Sequence, residues 1–68
     1  METQTATPGE ALRTLRSMAG LTLKEVATGA DTSVAYLSKV ERNEFRPTQD
    51  YVAKVSAFIS GSILRRAE

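Results

Sequence analysis

The sequence predicts an all-α domain of four short helices, and three observations carry that prediction. Apolar residues recur at helical rather than alternating spacing. Two Thr-x-x-Glu signatures precede apolar runs, the pattern of a helix start whose cap and third residue satisfy each other's backbone. Gly, Asp-Thr-Ser and Arg-Pro punctuate the runs at short intervals, and no strand pattern, internal repeat or low-complexity tract appears. With 68 residues the chain is one small domain. A chain of this size buries only about 60% of the surface its unfolded form exposes.

Residues 1–6 are polar and uncapped and read as a loose tail. In "TPGEALRTLRSMAG", Thr7 suits the N-cap, Pro8 the first helical position, and Glu10 completes a capping box. Leu12, Leu15 and Ala19 share one face with Ala11 and Met18 beside them, and Gly20 stops the helix. Thr22 and Glu25 repeat the box for a second helix over 22–30, where Val26, Ala27 and Ala30 supply the apolar side. Gly29 inside that helix costs about 1 kcal/mol relative to Ala, so this element leans on its neighbours.

Asp31 tolerates a left-handed turn, and Thr32 or Ser33 can cap a third helix that runs to Arg42 and ends at Asn43. Glu44 to Pro47 is a loop, because Pro47 disfavours helix at Arg46. Thr48 caps a fourth helix through Ile59, with Tyr51, Val52, Val55, Phe58 and Ile59 as its core side. Ser60-Gly61-Ser62 is expected to end it, leaving residues 61–68 as a short segment that either adds a helix or contacts a second copy. The domain proper is then 7–60.

Composition removes several classes of function. Without cysteine or histidine there are no disulfides, thiolate or imidazole metal sites, or relays built on them. The remaining hydroxyls and carboxylates show no convergent nucleophile, base and oxyanion set, so neither an enzyme nor a cofactor or small-molecule substrate is expected. No apolar run approaches the ~20 residues of a membrane span, and a cytoplasmic location is expected. The net charge is only +1, but residues 32–68 carry six basic and four acidic side chains against three and four in residues 1–31. That bias permits a nucleic-acid partner without requiring one.

The middle pair of helices carries the functional argument. So short a connection between 22–30 and 33–42 sets the two at a steep angle, as in a helix-turn-helix. At about 100° per residue, Leu37 and Val40 mark the core side of the third helix. Ala35 and Arg42 lie opposite, flanked by Ser38 and Lys39, with Val34 and Tyr36 on the shoulders. This face has small residues, two cations, a hydroxyl and no carboxylate. Cations and hydroxyls can meet phosphates or bases, and Val or Ala can meet a thymine methyl. Lys39 and Arg42 also suit the negative end of the helix dipole.

From Leu15 to Thr48 the chain resembles the Cro and lambda-repressor type of helix-turn-helix, also called the xenobiotic-response-element type. The resemblance rests on Leu15-Arg16, Gly20-Leu21-Thr22, Val26-Ala27, Ser33, Leu37-Ser38, Val40-Glu41 and Pro47-Thr48 in ordered spacing, and extends to about Ile59. It implies a lambda-repressor-like domain of four to five helices that binds double-stranded DNA through helix 33–42. Val34, Ala35 and Lys39 match the base-reading positions, and Ser33, Tyr36 and Ser38 match secondary contacts. Arg42, Asn43 and Arg46 lie where the family approaches phosphate. Arg16 and Glu41 match an internal salt bridge between the first helix and the end of the third.

The departures from the family pattern matter as much. Leu23 stands where the family has a phosphate-binding Gln, so that contact is lost. Asp31 replaces the turn Gly and Thr32 the apolar residue after it, which should weaken the packing of the turn. Tyr36 can stack over the sugar-phosphate backbone or cover the helix junction. The resemblance implies a transcriptional regulator of phage-repressor or accessory type, and it is compatible with a homodimer on DNA without requiring one in free solution. The apolar run Val34-Ala35-Tyr36-Leu37 also suits a protein-interaction module on the same fold, an anti-repressor or antitoxin-like partner.

Overall fold

Each helix of the computed structural model, which describes residues 7–67, begins at a side-chain cap visible in the sequence. In α1 (Pro8–Ala19), Thr7 Oγ1 accepts from the Glu10 N–H at 3.1 Å and Glu10 Oε1 accepts from the Thr7 N–H at 3.3 Å. Thr22 and Glu25 do the same for α2 (Leu23–Gly29), at 3.0 and 2.8 Å. Ser33 caps α3 (Val34–Glu41) by accepting from the Tyr36 N–H at 3.0 Å, and Thr48 caps α4 (Gln49–Ala67) by accepting from the Tyr51 N–H at 3.1 Å. No strand occurs among the described residues. The tail read over residues 1–6 lies outside them.

The first three helices end in one shared way. Leu21 N–H donates to the Arg16 carbonyl, Thr32 N–H to the Ala27 carbonyl and Glu44 N–H to the Lys39 carbonyl, at 3.1, 2.8 and 2.8 Å. This closing bond needs a residue of positive φ just before the donor, the αL position of a Schellman motif. Gly20, Asp31 and Asn43 fill it, with φ of 71°, 58° and 66°. Gly carries no Cβ penalty there, and Asp and Asn are the side chains that tolerate αL best.

The core gathers one stripe from every element: Leu12 and Ala19, Val26 and Ala27 with Ala30, Leu37 and Val40, Val55 and Ile59. α1 packs most extensively on α4, and α3 on α1 and α2. The buried side of α1 is rotated from the expected one. Ala11 and Met18 face solvent, while Gly9 is buried and Arg16 half-buried, because α3 lies along that edge. A Cβ on Gly9 would collide with the Val40 carbonyl.

A second difference concerns α4. It does not end at Ser60-Gly61-Ser62 but runs on to Ala67, so residues 61–67 form no separate segment. Ser62 follows Val55 and Ile59 at helical spacing and is buried with them, and Ile63 packs at the core margin. Arg66 then donates to the Ala19 carbonyl at the C-terminal end of α1. These contacts hold the last turns in place despite a glycine that helices disfavour.

Candidate nucleic-acid interface

The turn between α2 and α3 is fixed from three sides. Asp31 supplies the left-handed residue, Lys54 Nζ reaches its carbonyl at 3.4 Å, and the Thr32 and Tyr51 hydroxyls share a hydrogen bond of 3.0 Å. Thr32 is therefore no gap in the turn, as its polarity suggested, because its hydroxyl ties the turn to α4. Burial pushes the Tyr51 phenol above its ordinary pKa, with the Thr32 hydrogen bond opposing and the charges of Tyr36 and Glu41 adding to the rise. Leu23, standing in the Gln position, is half-buried at the core margin and offers no donor outward.

With the turn held, α3 divides cleanly. Leu37, Val40 and Glu41 are buried, whereas Val34, Ala35, Lys39 and Arg42 are exposed and Ser38 is half-exposed beside them. Ser33 is exposed at the N-cap with its hydroxyl committed to the Tyr36 N–H. The Glu41 carboxylate points to α1, where Arg16 Nε and Nη2 donate to its two oxygens at 2.8 Å each and Nη1 donates to the Leu21 carbonyl at 3.0 Å. This two-pronged geometry is the strong form of the pair. It pushes the Arg16 pKa above its ordinary value, the Glu41 hydrogen bond outweighing burial and the Coulomb attraction adding to it.

Tyr36 and Asn43 stand apart from the exposed face. Tyr36 is half-buried between two rings, stacked on Phe45 with centroids 5.4 Å apart and edge-on to Tyr51 at 5.0 Å. The packing of its ring covers the helix junction, one of its two expected roles. The Asn43 side chain turns to α1, accepting from Thr7 Oγ1 at 2.6 Å and donating to Glu10 at 3.5 Å. Arg46, exposed in the loop, makes no ion pair among the described residues.

Two loop residues escaped sequence reasoning. Glu44 Oε2 accepts from Arg42 Nε at 2.9 Å, so the edge of the face carries a carboxylate after all. Arg42, and Lys39 more weakly, hold the Glu44 carboxyl below its ordinary pKa, and Glu44 raises that of Arg42. Phe45, 44% exposed, lies with its ring centroid 5.4 Å from Lys39 Nζ. The one signal available was an aromatic and an acid following two cations across a helix end.

A helix-turn-helix family model matches residues 12–64, from α1 through most of α4. The chain belongs to the Cro/C1-type helix-turn-helix family. Its general function is thereby that of a DNA-binding regulatory domain, a class not typically enzymatic. In this helix-turn-helix, α2 and α3 are the paired helices and the exposed side of α3 is the second helix's outward face. No curated protein and no solved structure matches the chain significantly. No helix among the described residues is long and apolar enough to cross a membrane.

Proposed function

We propose that this helix-turn-helix domain is a sequence-specific transcriptional regulator, of phage-repressor or accessory type, that inserts α3 into the major groove. The observation that carries the reading is the division of α3. Leu37, Val40 and Glu41 are buried, and Val34, Ala35 and the cations Lys39 and Arg42 are turned outward. Small residues at Val34 and Ala35 let the backbone approach the groove and can touch thymine methyls. Lys39 supplies a donor for guanine or phosphate, Ser38 a hydroxyl, and Arg46 a grip on the phosphate backbone. Ser33 offers the N-terminal end of α3 to a phosphate. Asn43 acts by bracing the loop against α1. With few long polar side chains on the face, discrimination is modest and leans on DNA shape. One such module buries little surface, so a homodimer on half-sites about 34 Å apart is the expected binding form.

The rival reading, a protein-interaction module on the same fold, draws on the exposed Val34 and Phe45, which are 43% and 44% accessible. Titration with random duplex DNA at several salt concentrations separates the two. A DNA binder loses affinity steeply with salt, and Arg46→Ala lowers the log–log slope by about one. Salt-independent binding, or none, sinks the DNA reading in favour of a protein partner. Selection from a random DNA pool then yields the operator.

A further inference from the structure

The loop after α3 sets one residue against each cation of the exposed face. Arg42 donates through Nε to Glu44 at 2.9 Å and through Nη1 to Ser38 Oγ at 2.6 Å. Lys39 lies over the Phe45 ring, which is itself stacked on Tyr36. The backbone holds this arrangement in place. Glu44 N–H and Asn43 N–H donate to the Lys39 and Val40 carbonyls at 2.8 and 3.0 Å, and the Asn43 side chain is tied to α1. Glu44 thus presents a carboxylate oxygen to Arg42 Nε much as a DNA backbone would present a phosphate oxygen, since both are anionic acceptors for a guanidinium N–H.

We propose that Glu44 is a specificity-setting residue that acts as an internal phosphate mimic. It neutralises Arg42 toward random DNA, so that Arg42 joins the interface only where the other contacts of α3 are already made. This rests on the reading of α3 as the DNA-contacting helix. The Debye length is about 8 Å at physiological ionic strength, so a pair this close acts on DNA as a neutral unit and releases no counterion of its own. Handing Arg42 to a phosphate exchanges one ion pair for another and leaves the Glu44 carboxylate beside the duplex. That like-charge contact costs affinity. Random DNA is then gripped by Lys39 and Arg46, and Arg42 is held back.

The test is a salt titration of the intact chain with random-sequence duplex. It compares the natural sequence with Glu44→Gln, Arg42→Ala and the double variant. Arg42 and Glu44 are 56% and 50% exposed, so neither change reaches the core, and circular dichroism melts check this. Glu44→Gln should bind several-fold tighter at low salt, with a log–log slope steeper by about one. Arg42→Ala alone strands the Glu44 carboxylate and should weaken binding, whereas the double variant should match the natural sequence in affinity and slope. The proposal is overturned if Glu44→Gln changes neither affinity nor slope. It is equally overturned if the double variant has a shallower slope than the natural sequence, because Arg42 would then already be gripping random DNA. Should no form bind with any salt dependence, the DNA reading itself fails and this proposal falls with it.

Discussion

Two glycines show how differently one added methyl group is received. At Gly9 a Cβ would meet the carbonyl of Val40, a backbone atom fixed inside α3. At Gly29 it would meet the far end of the Phe58 ring, a half-buried side chain that can swing toward solvent. Overpacking against rigid atoms costs about 1–3 kcal/mol or more, and Gly9 belongs at the top of that range. Gly29→Ala regains about 1 kcal/mol of helix propensity, which offsets part of the displaced ring's packing. Chemical denaturation should therefore show Gly9→Ala losing about 3 kcal/mol and Gly29→Ala clearly less. Equal losses would show that α1 can shift away from α3. The positive-φ residues at Gly20, Asp31 and Asn43 were legible one at a time, because the preference is a property of the residue itself. The close approach at Gly9 was not, because it depends on a partner far along the chain.

At the scale of the element, α4 separates local from tertiary signals. Its start was plain from Thr48 and Pro47, but Ser60-Gly61-Ser62 read as a stop, since local propensity alone favours one there. Burial of Ser62, packing of Ile63 and the Arg66 bond to Ala19 override that preference. If α4 is continuous through Gly61, alanine there is a pure gain. A Cβ meets only the Arg65 guanidinium, at 3.5 Å, and helix propensity improves by about 1 kcal/mol. Gly61→Ala should raise the melting temperature, whereas a chain that broke at Gly61 would be unaffected or destabilised. The exposed face of α3 was legible for the opposite reason. Its core side was marked by Leu37 and Val40 at helical spacing, and everything outward followed from periodicity. The loop contacts of Glu44 and Phe45 obey no period and had to be seen.

At the scale of the whole molecule, long-range polar contacts from Arg66, Asn43 and Glu41 hold α1 to the rest among the described residues. Arg66 reaches its C-terminal end, Asn43 its N-terminal cap, and Arg16 grips Glu41. The last of these fixes the end of α3, and with it the angle at which the outward face is presented. Family resemblance pointed to the Arg16–Glu41 pair, whereas the other two contacts left no trace in the local pattern. The pair is nearly dry, with side-chain exposures of 16% and 6%. Removing one member strands a charge, which typically costs 3–5 kcal/mol, while replacing both with apolar residues is often close to neutral. Arg16 keeps some contact with water, so Arg16→Met should cost about 3 kcal/mol, the lower end of that range. Arg16→Met with Glu41→Leu should recover most of the loss. A urea melt of the three proteins measures both effects. If the double variant regains stability but binds random duplex less well than the natural sequence, the pair's contribution lies in the orientation of α3. If it regains both, α1 and α3 keep their mutual angle through Gly9 and the apolar core alone.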